Sequence, residues 1–420
     1  MHQKTTLENG LRLITASMPH IHSVSVNFFI GAGSRHESEA QAGISHFIEH
    51  LLFKGTRKRP TAMEICSAIE GTGGTINAGT DKEFTIYYAK VAQPHFNLAM
   101  DVLADMLLNA TFEPAEMEKE RQVIIEEINM CYDSPSQQVS MLIDELLWPN
   151  HPLGRDIAGT KETITAMSRD MVLDYLSRHY LPASTTIAIA GDIQHRAAIN
   201  AVQKVLGGWK NPQPRPEPLH FAEKPGKNLK IETRDTEQTQ LCLAVPGLSL
   251  LHPDRFVVDL LNVILGEGMS SRLFAEIRDK RGLAYSIHSY ADHFLDTGAL
   301  TVSAGVEGRN LQVALKAILE ELARLKDTVP EAELAKAKEF TKGRLLLRME
   351  DSRSVASWLG GQEVLTGQVL TVDEVVRIIE NIGASDLQRV AQKLLFSENL
   401  RLAVVGPIPQ DEPLHELLKL

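Results

Sequence analysis

Short runs in which hydrophobic and polar residues alternate punctuate the chain. Ser23-Val-Ser-Val-Asn-Phe-Phe-Ile and Phe84-Thr-Ile-Tyr-Tyr-Ala read as strands, because successive side chains on a strand point to opposite faces. Elsewhere apolar residues recur every three to four positions, as in Ala99-Met-Asp-Val-Leu-Ala-Asp-Met-Leu, and these read as amphipathic helices. The strands come in clusters followed by runs of helices. That order predicts an α+β fold of mostly antiparallel sheets packed against helices, and disfavours a doubly wound sheet.

The pattern occurs twice. The helix at Ala99 leads through Pro-Ala-Glu-Met into a second helix, and the helix at Ala314 leads through Pro330-Glu-Ala-Glu-Leu into another. The strand Thr186-Ile-Ala-Ile-Ala-Gly191 recurs as Leu402-Ala-Val-Val-Gly406. Ala99 and Ala314 are 215 residues apart, and so are Gly191 and Gly406. One offset shared by separate elements implies a duplicated architecture. Between the copies, Asn211-Pro-Gln-Pro-Arg-Pro-Glu-Pro cannot hold a helix or a central strand. The expected organisation is therefore two homologous domains, 1–210 and 229–420, joined by a proline-rich linker over 211–228.

Composition narrows the classes of function. A chain of 420 residues exceeds one ordinary core, and 43% hydrophobic with 23% charged residues is soluble globular composition. The net charge of −11, with no Lys/Arg-rich block, argues against nucleic acid as a partner. Cys66, Cys131 and Cys242 are odd in number and widely spaced, which argues against disulfides or a thiolate metal site and fits a reducing compartment. No apolar run approaches the roughly 20 residues that cross a bilayer, and the N-terminus lacks a secretory signal pattern. A cytoplasmic location away from membranes is expected.

The candidate chemistry begins with His46-Phe-Ile-Glu49-His50. In a helix over about 43–53, His46 and His50 lie one turn apart on one face and can meet one zinc at about 2.0–2.1 Å. Glu49 reaches the same face and can hold a water beside the metal and take its proton. Apolar residues cover the rest of this helix, which predicts burial, and Gly55 suits a left-handed cap at its end. A third ligand is expected from the helix containing Glu120-Arg-Gln-Val-Ile-Ile-Glu126-Glu127. There Val123, Ile124, Ile128, Met130 and Cys131 form an apolar face with Glu120 and Glu127 near its centre. A carboxylate inside such a face needs a cationic partner, and zinc would supply one for Glu127. Glu120 then suits orienting a ligand or tuning the water, whereas Glu126 points about 100° away into solvent. His20, His22, His288 and His293 have no carboxylate in ligand spacing and are expected to be ordinary surface residues.

Gly33-Ser-Arg-His-Glu, the segment Gly43-Ile-Ser-His-Phe-Ile-Glu-His-Leu-Leu-Phe-Lys-Gly-Thr56 and the Glu120–Glu127 segment together resemble the inverzincin zinc peptidases. That family includes pitrilysin, insulin-degrading enzyme and the mitochondrial processing peptidase, and the chain's length is similar to its short bacterial members. The resemblance spans essentially the whole chain. It implies a zinc-dependent endopeptidase with Glu127 as third ligand, acting on peptides or unfolded segments inside a dimeric clamshell. It also implies that Asn77 and Ala78, on a sheet edge, contact substrate backbone. Arg278 and Tyr285 would complete the site, binding substrate backbone and stabilising the oxyanion, and would reach across from a second copy. The helix equivalent to 43–53, around Phe256 to Leu265, has no histidine, so one zinc per chain is expected. The rival reading is a non-catalytic scaffold, or one subunit of an obligate heterodimer, on the same fold. The complete triad with Glu49 argues against the first, and intact Arg278 and Tyr285 against the second.

Overall fold

The computed structural model describes residues 2–210, 212–214, 217–222 and 226–420. Asn211, Arg215, Pro216, Glu223, Lys224 and Pro225 of the expected linker lie outside the described residues; its other positions form no helix or strand. In the first half the elements run β1 (His2–Thr6), β2 (Arg12–Ser17), β3 (Ser23–Ile30), α1 (Ile44–Leu52), α2 (Ala62–Glu70), β4 (Thr75–Thr80), β5 (Thr85–Ala92) and α3 (Phe96–Asn109). They continue with α4 (Pro114–Asp133), α5 (Pro135–Leu147), α6 (Lys161–Ala166), α7 (Arg169–His179), β6 (Thr185–Gly191) and α8 (His195–Leu206). The second half has β7 (Leu229–Thr233), β8 (Thr239–Pro246), α9 (Arg255–Gly266), β9 (Ala284–His293), β10 (Gly298–Val306), α10 (Leu311–Arg324) and α11 (Glu331–Arg348). It closes with α12 (Ser352–Thr366), α13 (Val372–Asn381), α14 (Ala384–Leu394) and β11 (Arg401–Gly406).

The fold is α+β, and its duplication is visible in the strand orders. One sheet runs β1-β2-β6-β3-β5-β4 and the other β7-β11-β8-β10-β9. Leaving out β1, the two orders match place for place. Each contains one parallel pair, β2 with β6 and β7 with β11, and antiparallel pairs elsewhere.

Each sheet is the centre of a compact unit. The first unit comprises Met1–Asn129, Arg155–Leu219 and Leu347–Thr371; the second comprises Met130–Gly154, His220–Leu346 and Val372–Leu420. Each unit thus takes most of one half and one helix-bearing segment from the other. In the first unit, Val24, Val26, Phe28 and Ile30 of β3 pack into a core with Ile44, Phe47, Ile65, Phe96 and Val172. The opposite face of the sheet carries Ile14, Phe29, Ala188 and Ala190, and α12 covers it with Val355, Ala356 and Leu359. Polar positions of the β3 alternation are therefore buried too: Ser25 hydrogen-bonds Ser352 at 2.9 Å, and Asn27 hydrogen-bonds Ser357 at 3.0 Å. In the second unit α5 plays the same part, placing Val139, Leu142 and Ile143 on Cys242, Ala244 and Ala403. A sheet with two apolar faces must cover both, and each half's own helices leave one open.

Gly360 shows how closely α12 approaches its sheet. A Cβ there would stand 2.2 Å from Phe29 Cε2 and 2.8 Å from Ala188 Cβ. Gly360→Ala gains about 1 kcal/mol of helix propensity, but Phe29 is only 2% exposed and has nowhere to turn. Overpacking of about 1–3 kcal/mol therefore outweighs the propensity gain. A lowered midpoint in urea unfolding is the expected result, and an unchanged or raised midpoint would show that the helix can lift away freely.

All three cysteines are free thiols. Among the described residues no helix is long and apolar enough to cross a membrane.

Candidate metal centre

Helix α1 is fixed at its start by a buried carboxylate. Gly43 precedes it at φ 93°, where a Cβ would meet the Ala158 carbonyl at 2.5 Å. Glu37 accepts hydrogen bonds from the Gly43 and Ser45 amides at 2.8 and 2.9 Å, supplying acceptors for the open first turn. Ser45 hydrogen-bonds the buried Tyr175 hydroxyl at 2.9 Å, and Ile44, Phe47, Ile48, Leu51 and Leu52 are buried around the helix, as its apolar sequence predicts. The C-terminal end differs from expectation. Phe53 caps α1, and Gly55 follows it; glycine is needed there because its φ of 141° is one that other residues rarely adopt and because a Cβ would stand 2.4 Å from the Pro60 carbonyl.

Burial pushes the Glu37 carboxyl up to about 7 from its ordinary 4.5, against the opposing pull of the two amides. Its neutral form therefore favours the folded state. That contribution is fully present below about pH 4.5 and is lost as pH rises through about 7. Glu37→Gln removes the ionisation, so the variant's unfolding free energy relative to wild type, read from urea unfolding, should climb between pH 5 and pH 8, by up to about 3 kcal/mol. The amide also loses one acceptor, but that penalty is the same at every pH. A difference that stays flat across this range would contradict the assignment.

His46 and His50 leave α1 on one side, both 18% exposed. Glu127 comes to them from α4. The Nε2 atoms of the two histidines are 3.3 Å apart, and Glu127 Oε2 lies 3.7 Å from His46 Nε2 and 3.6 Å from His50 Nε2. Among the described residues this is the one cluster of His, Cys, Asp and Glu that could hold a metal ion. The donor set fits zinc. Bonds of about 2.0–2.1 Å in a tetrahedron place ligand atoms about 3.3–3.4 Å apart, close to this triangle, and three ligands leave the fourth position open.

The groups around the triangle support it. Glu120 Oε2 lies 3.1 Å from His50 Nδ1, and Lys54 Nζ lies 2.8 Å from Glu120 Oε1. With Nδ1–H donating to Glu120, the neutral His50 ring presents its Nε2 lone pair to the triangle. Burial alone would raise the Glu120 carboxyl, yet the hydrogen bonds to His50 and Lys54 and their charges hold it below its ordinary value. Burial would likewise lower His50, but Glu120, Glu127 and Glu49 together raise it. His46 has no such carboxylate on its far nitrogen. Burial, with the charge of His50, takes it down to about 4, so it is a neutral imidazole at ordinary pH.

Glu49 is beside the triangle. Burial raises its carboxyl above the ordinary value, opposed by a 2.6 Å hydrogen bond that the Thr80 hydroxyl donates to Oε2. Strand β4, which carries Thr80, is an edge strand that among the described residues pairs with β5 alone. Asn77 and Ala78 lie on it, opposite Tyr88 and Tyr87, and Asn77 is exposed. Arg278 and Tyr285 belong to the second unit. Arg278 sits in a π-helical stretch over Phe274–Lys280, with its guanidinium 5.3 Å from the centre of the Tyr285 ring, which is 75% exposed.

Several sequence expectations need correction. On α4 the buried line is Met117, Glu120 and Ile124, with Glu127 and Ile128 half-buried; Val123 and Met130 are exposed. The core touches a narrower stripe of α4 than the full apolar face, so Val123 and Met130 fall off its edges. Glu126 is exposed, as expected. His20, His22 and His288 are exposed. His293 is not an ordinary surface residue: its Nε2 lies 3.1 Å from Asp259, which the chain brings from 34 positions away. Thr80, Lys54 and Glu37 escaped the sequence reading. Lys54 lies two residues past the end of α1, and Thr80 and Glu37 come from separate segments, so all three act through contacts that no helical spacing reveals.

Residues 12–161 match the family model described as insulinase (peptidase family M16), and residues 166–340 match the one described as peptidase M16 inactive domain. The chain is similar to the uncharacterized zinc protease YmxG of Bacillus subtilis, at 40% identity over 97% of this chain and 98% of that one. An uncharacterized zinc protease of Mycobacterium leprae is 37% identical over 99% of this chain and 94% of its own length. The fold is shared with a protease from Helicobacter pylori, at a TM-score of 0.92 and 24% identity over 97% of this chain and 99% of that one.

Proposed function

The chain belongs to the insulinase family, peptidase family M16, and from that premise we propose that it is a zinc-dependent endopeptidase of peptides and unfolded segments. The observation that carries the reading is the triangle of His46 Nε2, His50 Nε2 and Glu127 Oε2, with edges of 3.3–3.7 Å.

In this reading His46, His50 and Glu127 hold one zinc per chain, and Glu120 with Lys54 keeps the His50 ring turned toward it. The bound ion would polarise the scissile carbonyl and make the attacking water more acidic. Glu49 holds that water, takes its proton and passes it to the leaving amine. Its burial raises its proton affinity, which suits a group that must both accept and return a proton. A peptide would pair along the open edge of β4, with Asn77 and Ala78 binding its backbone through their own main-chain groups. Arg278 and Tyr285 are assigned to the substrate backbone and the developing oxyanion. The proposal includes a cytoplasmic homodimer that encloses the peptide, and a purely monomeric mass in solution would contradict that part.

The test is hydrolysis of internally quenched peptides by the zinc-loaded chain, before and after a chelator. Cleavage that stops with the chelator and returns with zinc is expected. Cleavage indifferent to the chelator, or no cleavage of any peptide in a varied library, would overturn the reading.

A further inference from the structure

We propose that Thr80 is the positioning residue of the Glu49 carboxylate, tying the base to the sheet edge along which a peptide is read; the proposal rests on the hydrolytic reading above. The Thr80 hydroxyl donates to Glu49 Oε2 at 2.6 Å, a short bond of the charge-assisted kind, across 31 residues of sequence. The contact joins two elements that otherwise have separate tasks, since α1 carries the metal ligands and β4 is the strand with the open edge.

Thr80 is well placed to set direction. A β-branched side chain has few χ1 choices, so the hydroxyl follows the strand backbone. That backbone is held from behind, where Thr80 pairs with Thr85 of β5 and the buried Thr85 hydroxyl donates to the Ala32 carbonyl at 2.9 Å. Residues two apart on a strand share a face. Ile76 and Ala78 turn theirs to the core that contains α1, and Thr80 continues the same row. Glu49 by contrast ends in a carboxyl on three rotatable bonds, and besides burial it is restrained from the same residue, since the Thr80 backbone amide also hydrogen-bonds the carboxyl. Occupying Oε2 limits the rotation of the carboxyl plane. Because β4 carries both Thr80 and the expected peptide contacts at Asn77 and Ala78, a peptide that stiffens the strand also stiffens the base.

Thr80→Val removes the hydroxyl and keeps the branched shape; Thr80→Ser keeps the hydroxyl. Both are compared with wild type for kcat and KM on one quenched peptide, for bound zinc and for melting temperature. The Val variant is expected to lose about 10- to 100-fold in kcat, the scale of a misplaced reacting group, with KM within about twofold and zinc content unchanged. The Ser variant is expected to recover most of the kcat. A Val variant with wild-type kcat, or Val and Ser variants equally impaired, would overturn the role of Thr80 while the hydrolytic reading stands. A wild-type chain that cleaves nothing would overturn both.

Discussion

A Glu127→Gln chain is expected to purify folded, without zinc, and inactive. Glu127 supplies the only anionic donor of the triangle, and its Oε2 completes the set with the two imidazoles at 3.6 and 3.7 Å. A neutral amide oxygen is a weak zinc donor, and two histidines alone fall short of the three protein ligands that catalytic zinc sites keep. The loss of affinity should exceed the roughly 10- to 100-fold that removal of a ligand's hydrogen-bonding partner causes. Zinc stoichiometry measures it directly, and so does the melting temperature. Zinc at about 100 times its dissociation constant stabilises the folded state by about 2.7 kcal/mol, and the variant should not show that rise. Glu126→Gln is the matched control, because Glu126 is the exposed neighbour one residue away. Zinc lost from the Glu126 variant and kept by the Glu127 variant would reverse the ligand assignment.

The second large effect is expected at Glu49. Glu49→Gln keeps the size of the side chain and can still accept the Thr80 hydroxyl, so fold and zinc content should not change. What disappears is the ability to take a proton from water and deliver it to the amine. Removing a general base lowers rates by about 10²–10⁴, and the loss should fall on kcat, with KM little altered. Activity within tenfold of wild type would place the base elsewhere. The two variants separate the roles that α1 and α4 bring together: one should lose the metal, and the other should keep it and lose turnover.

Much of this was legible in the residue order. The spacing of His46, Glu49 and His50 is a property of any helix, so their shared face follows from 100° per residue alone. The placement of Glu120 and Glu127 seven residues apart likewise puts both on one side of α4, and both do face α1, through Lys54 and His50 for Glu120 and through the two Nε2 atoms for Glu127. Val123 and Met130 are apolar and near the right angle, but a helix touches its neighbours along a line, and side chains at its margins stay in water.

What the sequence determined by itself is what depends on local period: the elements, their duplication, and the sets of side chains that share a face. The tertiary structure decided everything that depends on chain segments meeting from afar. It placed α12 on the first sheet and α5 on the second, because a two-faced sheet needs a cover that its own half does not supply. It brought Glu37 under the start of α1, Thr80 to Glu49 and Asp259 to His293, contacts between short polar side chains that carry no periodic signal. Periodicity reports which way a residue points, and only packing reports what stands opposite.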